Sequence, residues 1–525
     1  MQADYPFGDP DGARAELVDI MDGFVGFGGH PGWGGIATRA DDRTVRVIVG
    51  KKGSGKTVYL RRLQVSTRAE ESVFSQTIQT DIPSTAQILR FCEICQGEQV
   101  TEKWSELWRV SILASLLSLI LHKGYFAPYV TQKQRDELAQ KYRGILPDGA
   151  VVHTAYNIIG FYISTIATQA RYDEFINRSV WLQLRHELSE LMKTTPPVFY
   201  YLDAVDEEFA HAPMEWHQCQ KGLFDAVMRM LRGQGPLANR FHVAICIRDM
   251  VLSSVLRTEH ASRYRGAPHI CKLNWDTKRI KFFFQRKIEK LDERYFDQPA
   301  GDRNVENFLS LSKIRNVERG IDEDIVNYII RHTRFLPRDI VELGNNLANA
   351  KITARENGIS DSNSWQEVIR KLVSRAARSF ANEQLTICAN QLASHDRPEF
   401  SARHDYHELY TSGQEYISAK SSYLKEVIKM IGAEAFDRDA LNEARTAISA
   451  DLPRDVDVMS ILWQNGLVGC KHKEDQIGYS FFNLDDREDF LIPDDAISFA
   501  FHSCVRDAVP LGISGESPIT ELDVI

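Results

Sequence analysis

The strongest chemical signal in the sequence is the run Gly50-Lys51-Lys52-Gly53-Ser54-Gly55-Lys56-Thr57, which matches G-x-x-x-x-G-K-[ST] in full. Each residue type has a physical task. The glycines let backbone N–H groups converge on phosphate oxygens without a Cβ in the way. A helix that begins here adds the positive end of its dipole. Lys56 offers a cation to the β- and γ-phosphates, and the Thr57 hydroxyl offers a magnesium ligand. The expected contacts to a nucleoside triphosphate are therefore Gly50, Gly53, Ser54, Gly55, Lys56, Thr57 and the adjoining Val58.

Such a cradle needs a carboxylate at a neighbouring strand tip to hold magnesium, directly or through water. The run Val198-Phe199-Tyr200-Tyr201-Leu202-Asp203 is an apolar strand ending in an acid, which makes Asp203 the expected metal residue. Hydrolysis needs a further carboxylate to orient the attacking water. Glu207 is the candidate, and Asp206 is able to share either role. A third apolar run, Val243 to Ile247, ends in Arg248, whose side chain at a strand tip has the reach for a γ-phosphate. Arg257, Arg263 and Arg265 follow in a polar segment and are candidates for action across a subunit boundary.

These groups need a scaffold. Val45 to Val49 is a buried-strand pattern before the cradle, and Thr57 to Gln64 continues as helix. Val73 to Gln79, Val198 to Leu202 and Phe241 to Ile247 read as further strands, alternating with helices over 102–122, 178–192 and 216–232. That alternation predicts an α/β fold, a parallel sheet with covering helices. Asp11 to Met21 reads as a short helix, Gly23 to Gly35 as an irregular loop, and Asp148 to Asp173 fits no clear pattern. From Thr277 the strands stop, with helices expected over 278–291, 322–331, 337–348 and 365–391. A polar linker, 395–413, precedes helices at 420–431, 439–448 and 457–466 and a hairpin formed by 467–472 and 478–484, and 499–508 closes the last domain. The expected division is 1–42 as lead-in, 43–275 as core with a helical insertion, 276–394 as helical lid, 395–513 as a winged-helix-like domain and 514–525 as an acidic tail.

Bulk properties narrow the class. The 525 residues carry a net charge of -9, with 43% hydrophobic and 26% charged residues, the profile of a soluble multidomain protein. A negative whole-molecule field opposes non-specific coating of nucleic acid, while leaving room for a local basic patch. The 8 cysteines are scattered, without a disulfide framework, and Cys92-Glu93-Ile94-Cys95 lacks a second pair at zinc spacing. No signal peptide is visible, and the mostly apolar stretch Ile112 to Leu121 is too short to span a bilayer. A cytoplasmic protein without membrane contact is expected.

Tyr201-Leu202-Asp203-Ala204-Val205-Asp206-Glu207 resembles the magnesium motif of STAND-type nucleoside triphosphatases, and Arg248 is similar in position to the sensor-1 residue of AAA+ and STAND proteins. Arg334-Phe335-Leu336-Pro337-Arg338-Asp339 resembles the lid segment of bacterial AAA+-related ATPases in which an arginine senses nucleotide. Arg338 is the matching residue and Arg334 the runner-up. The resemblance, from Thr44 to about Leu511, is to bacterial P-loop ATPases of the AAA+/STAND grade. It implies ATP and Mg2+ as cofactors and a regulatory switch, with a homo-oligomer or an effector protein as partner, in antiphage defence. The long insertion before Val198 departs from simple AAA+ ring architecture. The basic and aromatic hairpin residues Lys471, His472, Lys473 and Tyr479 leave a DNA loader or motor as the alternative, and a scaffold with negligible turnover as a third reading.

Overall fold

The computed structural model describes residues 5–16, 45–68, 74–76, 78, 83–95, 99–149, 151–203, 212–256, 261–264, 266–298, 301–317, 320–359, 361–393, 406–448, 457–473, 478–482 and 491–512. Its centre is a five-stranded, all-parallel sheet in the order β2-β3-β4-β1-β5. The strands are β1 (Val47–Gly50), β2 (Phe74–Ser75), β3 (Val198–Leu202), β4 (Phe241–Arg248) and β5 (Ile270–Lys272). The register aligns Val47 with Ile245 and Gly50 with Arg248, while Leu202 also lies opposite Ile245. One strand, β4, thus separates the cradle strand from the acid strand.

The continuous apolar runs follow from burial on both faces. Alternate side chains serve opposite layers. Val47, Val49, Tyr200, Leu202 and Ile247 enter a large core shared with the insertion helices. Ile48, Phe199, Tyr201, Ala244 and Cys271 face Tyr59, Leu60 and Leu63 of the helix Lys56–Arg68.

The insertion is a helical layer. Helix Val100–His122 is long and apolar enough to cross a membrane by length and composition, which revises the shorter apolar stretch read from the sequence. Most of it is buried, chiefly against the helices Pro213–Leu231 and Ala155–Thr165. The unassigned 148–173 region holds helices Ala155–Thr165 and Gln169–Ile176. Where helices 100–122 and 213–231 cross, Gly222 has no room for a side chain. A Cβ there would lie 2.4 Å from Trp104 Cβ and 2.9 Å from the Ser105 backbone nitrogen. Alanine gains up to about 1 kcal/mol of helix propensity over glycine. Overpacking against backbone costs about 1–3 kcal/mol. Because the clash is with atoms on or next to the backbone, the cost falls in the upper part of that range, about 2–3 kcal/mol, and Gly222→Ala is expected to destabilise the protein by about 1–2 kcal/mol net in urea unfolding; an unchanged or raised midpoint would refute the close packing.

Several expectations need correction. Described residues 11–16 form turns, not the start of a helix, and β2 is shorter than the strand expected over 73–79. Strands do not stop at 277. Residues 321–324 form β7 (Ile321–Asp324), paired antiparallel with β6 (Lys313–Asn316), and the helix follows only at Ile325–Arg331. The polar, charged β7 sequence has helix-like spacing, but the hairpin pairing holds it extended. The expected linker 395–413 overlaps the helix Tyr406–Ile431.

The lid has its own core, built from helices Thr277–Glu289, Ile325–Arg331 and Pro337–Glu356. Phe7 from the N-terminal segment is buried in it, with its backbone N–H donating to Asn345 Oδ1 at 2.8 Å. Helix Ser362–Ala393 places Trp365, Ile369 and Phe380 in the lid core and Leu385, Cys388 and Leu392 in the large core. The C-terminal module carries a four-stranded sheet in the order β10-β9-β11-β8. Its strands are β8 (Ala435–Phe436), β9 (Val468–Lys471), β10 (Ser480–Phe481) and β11 (Ser498–Phe501). The β9–β10 pair is the expected hairpin, whereas β8 and β11 were not read from the sequence.

Candidate functional site

The loop leaving β1 turns through Gly53 and Gly55, at φ 86° and 88°, before the helix Lys56–Arg68 begins. Those backbone angles suit glycine. A Cβ at Gly55 would meet nothing within 4 Å, so the space beside Gly55 is open. Ser54 Oγ is buried without a hydrogen-bond partner. An open cradle beside an unsatisfied hydroxyl fits a phosphate oxygen. The Lys56 ammonium is buried and donates to the carbonyls of Gly50 and Lys51 at 3.0 and 3.1 Å.

Asp203 stands at the end of β3, and its Oδ2 accepts from Thr57 Oγ1 at 2.7 Å. The fold thus brings the hydroxyl and the carboxylate together from positions 146 residues apart. This donor pair fits a hard cation such as magnesium. Asp203 is also tied from behind, because the Tyr156 hydroxyl donates to its backbone carbonyl. Arg248, paired with Gly50 across the β1–β4 register, is buried at the β4 tip. Arg263 lies exposed on the short turn Ala261–Arg263. Asp206, Glu207, Arg257 and Arg265 fall outside the described residues.

The lid meets the cradle directly. The Arg338 N–H points at the Gly53 carbonyl at 3.4 Å, and a Cβ on Gly53 would sit 3.2 Å from Arg338 Cβ. Arg338 is therefore adjacent to the phosphate loop. Arg334 has a different task. It is buried, 2.6 Å from Asp339 Oδ1 and 2.8 Å from Glu383 Oε2. Burial alone would lower its pKa, but Asp339 and Glu383 raise it. The runner-up sensor is thus an ion-paired clamp, and its carboxylate partners already take the guanidinium. The clamp also holds the turn in which Phe335 adopts φ 57°, a strained angle for a non-glycine residue.

Sequence reasoning missed what the variable loop lysines do. Lys52 pairs with Glu383 at 2.9 Å. Burial would raise the Glu383 pKa, but Arg334 and Lys52 outweigh it and hold that carboxyl at about 2. Lys51 is half-buried, and desolvation lowers its pKa, with Asp249 opposing the shift. Its ammonium lies 3.1 Å from where a Cβ on Gly466 would sit, in the turn before β9. Two x positions of the motif thus contact the long helix and the C-terminal module. Trp275 was also missed. Its indole donates to the Ser54 carbonyl at 2.9 Å and braces the loop. The N-terminal segment covers Val58, since Arg61 donates to the carbonyls of Gly12 and Ala15 at 2.6 and 2.7 Å, and a Cβ on Gly12 would lie 2.9 Å from Val58 Cγ2. An x-position lysine carries no signal of its partner, so only tertiary structure reveals these contacts. All eight cysteines are free, and Cys92 accepts from the Trp104 indole at 3.4 Å.

No family model, curated protein or solved structure matches this chain.

Proposed function

We propose that this chain is a magnesium-dependent ATPase of the AAA+/STAND grade, working as a regulatory switch. The observation that carries the reading is the Thr57–Asp203 contact at the mouth of an open, glycine-lined phosphate loop. The strand inserted between cradle and acid supports it, because that placement goes with ATPases that use a separate catalytic carboxylate. In this reading the loop amides and Lys56 hold the β- and γ-phosphates, and Thr57 and Asp203 hold the metal. Bound magnesium would supply charge neutralisation at the phosphate oxygens. In the same reading Arg248, buried at the β4 tip, and Arg338, beside Gly53, meet the γ-phosphate, and Glu207 or Asp206 orients the water.

The switch follows from the contacts of Lys51, Lys52 and Gly53 with lid, long helix and C-terminal module. A change in loop geometry on nucleotide binding alters all three at once, and so biases assembly or an effector contact. The DNA reading has less support. On the hairpin, the Lys471 ammonium lies over the Tyr479 ring at 4.9 Å, and His472 pairs with Asp495 at 3.0 Å. Those groups are engaged within the module.

Asp203→Asn tests the proposal. It keeps the shape and a hydrogen-bond acceptor for Thr57 but removes the charge. Binding of a fluorescent ATP analogue in magnesium is expected to weaken by about 10- to 100-fold, with little change when magnesium is chelated. Equal affinities of the variant and the parent in magnesium would refute the metal assignment.

A further inference from the structure

The lid opens on a helix whose charge is out of character for the chain. Helix Thr277–Glu289 and its C-cap, Lys290, carry six basic residues: Lys278, Arg279, Lys281, Arg286, Lys287 and Lys290. Glu289 is the one acid among them, in a protein whose net charge is -9. Cations in the last turn complement the helix dipole, which accounts for Arg286 and Lys287. Lys278 and Arg279 stand at the other end, in a first turn without an acid, where the dipole opposes them. Arg279 is offset by the N-cap Asp276 at 2.8 Å. Helix stability does not account for the cation at Lys278.

Ile280, Phe284 and Ile288 of this helix enter the lid core. The outer ridge is Lys278, Phe282, Arg286 and Lys290, all exposed. Each stands one helical turn from the next, about 6 Å along the axis. Phe282 is 52% exposed, so its ring is not spent on the core. The Arg286 guanidinium lies 5.9 Å from the Phe282 ring centroid, and the Lys287 ammonium 5.7 Å from that of Phe283. Arg286 also pairs with Glu289 at 3.2 Å, an exposed contact of the kind that contributes little and yields to a stronger anion. The ridge thus presents an aromatic face between two cations.

We propose that this ridge binds single-stranded nucleic acid, with backbone phosphates on Lys278 and Arg286 and an unpaired base stacked on Phe282. A polyanion is the partner that the local charge selects. An unpaired base offers the flat face that covers an exposed ring, whereas a duplex keeps its bases stacked on one another. An anionic membrane fits less well. An interfacial helix buries a whole apolar face in lipid, and here that face is already in the lid core. The ridge is separate from the C-terminal hairpin, and it is tied to the phosphate loop. Phe283 packs edge-on against Trp275 at 5.7 Å, and Trp275 donates to the Ser54 carbonyl. A strand on the ridge therefore biases the loop and alters turnover. That coupling rests on the ATPase reading, whereas binding itself does not.

The probe is a fluorescent oligothymidylate of about 20 nucleotides, followed by anisotropy as the full chain is added at about 50 mM salt. A Kd of about 1–100 μM is expected. Phe282→Ala is expected to weaken binding about 5- to 100-fold without changing its salt dependence. The double variant Lys278→Ala, Arg286→Ala is expected to weaken it at least about tenfold and to make the slope of log K against log salt shallower by about 1. Both variants alter exposed side chains and are expected to melt at the parental temperature. Lys471→Ala, on the hairpin, and Lys56→Ala are expected to bind as the parent does. Absence of oligonucleotide binding would overturn the proposal, and capture by phosphatidylserine vesicles alone would replace it with a membrane surface. Binding that both ridge variants leave intact, or that Lys471→Ala abolishes, would also overturn it. Indifference to Phe282→Ala, or tighter binding of a duplex, would remove the single-strand assignment. Because Lys56→Ala is read for binding alone, failure here stays distinct from failure of the ATPase reading.

Discussion

Lys56→Ala is expected to reduce ATP turnover by roughly 100- to 1000-fold, about 2.7–4 kcal/mol of lost transition-state stabilisation. The ammonium is buried at the base of the loop and already faces inward, where it donates to the Gly50 and Lys51 carbonyls. On phosphate binding it exchanges two neutral acceptors for charged oxygens, and charge-assisted bonds are the stronger kind. In a water-poor pocket that gain is larger than in solvent. Loss of the two carbonyl contacts costs the fold about 1 kcal/mol each at most, so the variant remains folded. Turnover and ATP affinity are both to be measured, alongside a thermal melt. A folded Lys56→Ala protein that still hydrolyses ATP at the parental rate would exclude the cradle as the catalytic centre.

Asp339→Ala should produce the largest loss of stability. Asp339 is fully buried, accepts the Arg334 backbone N–H at 2.8 Å, and faces the Arg334 guanidinium through both oxygens. Deleting one partner of a buried pair leaves the other charge uncompensated and costs about 3–5 kcal/mol. Glu383 still neutralises part of that charge but is itself partly exposed and shared with Lys52. The loss is therefore expected near 3 kcal/mol in urea unfolding. Hydrogen exchange should rise first in the helix Pro337–Glu356, because its first turn loses the clamp. A change below about 1 kcal/mol would mean that Glu383 alone suffices.

Local patterns in the sequence were enough to place β1, β3 and β4 of the sheet and the loop after β1. The runs 47–50, 198–202 and 243–247 are apolar because both faces are covered, and the loop between β1 and its helix obeys a strict steric pattern. What stayed hidden is non-local. β5 has only three residues, Ile270–Lys272, too short to give a period. β7, Ile321–Asp324, is mostly acidic and becomes a strand because β6 pairs with it. The site divides in the same way. The juxtaposition of Thr57 with Asp203 was legible because the expected phosphate and metal chemistry calls for those residue types, and the fold brings the two side chains together. Trp275, Tyr156, Lys51 and Lys52 were not, because their roles depend on which distant backbone or carboxylate the fold brings to them. Arg334 and Arg338 look equivalent in sequence and differ only in that the first has Asp339 and Glu383 within reach.

The helix Ser362–Ala393 has 32 residues, so at 1.5 Å per residue it is a rod about 48 Å long. A rod does not bend to absorb a local shift. If one end pivots by about 10°, the other travels on the order of 8 Å, more than a full helical pitch. Glu383 grips the phosphate loop part-way along this rod, through Lys52, while its first turns lie in a separate apolar layer. In the proposed switch, an ångström-scale adjustment at the loop would thereby become a displacement large enough to hide or present a whole surface. Leverage, not a chain of side-chain rearrangements, is the amplification such a switch would use.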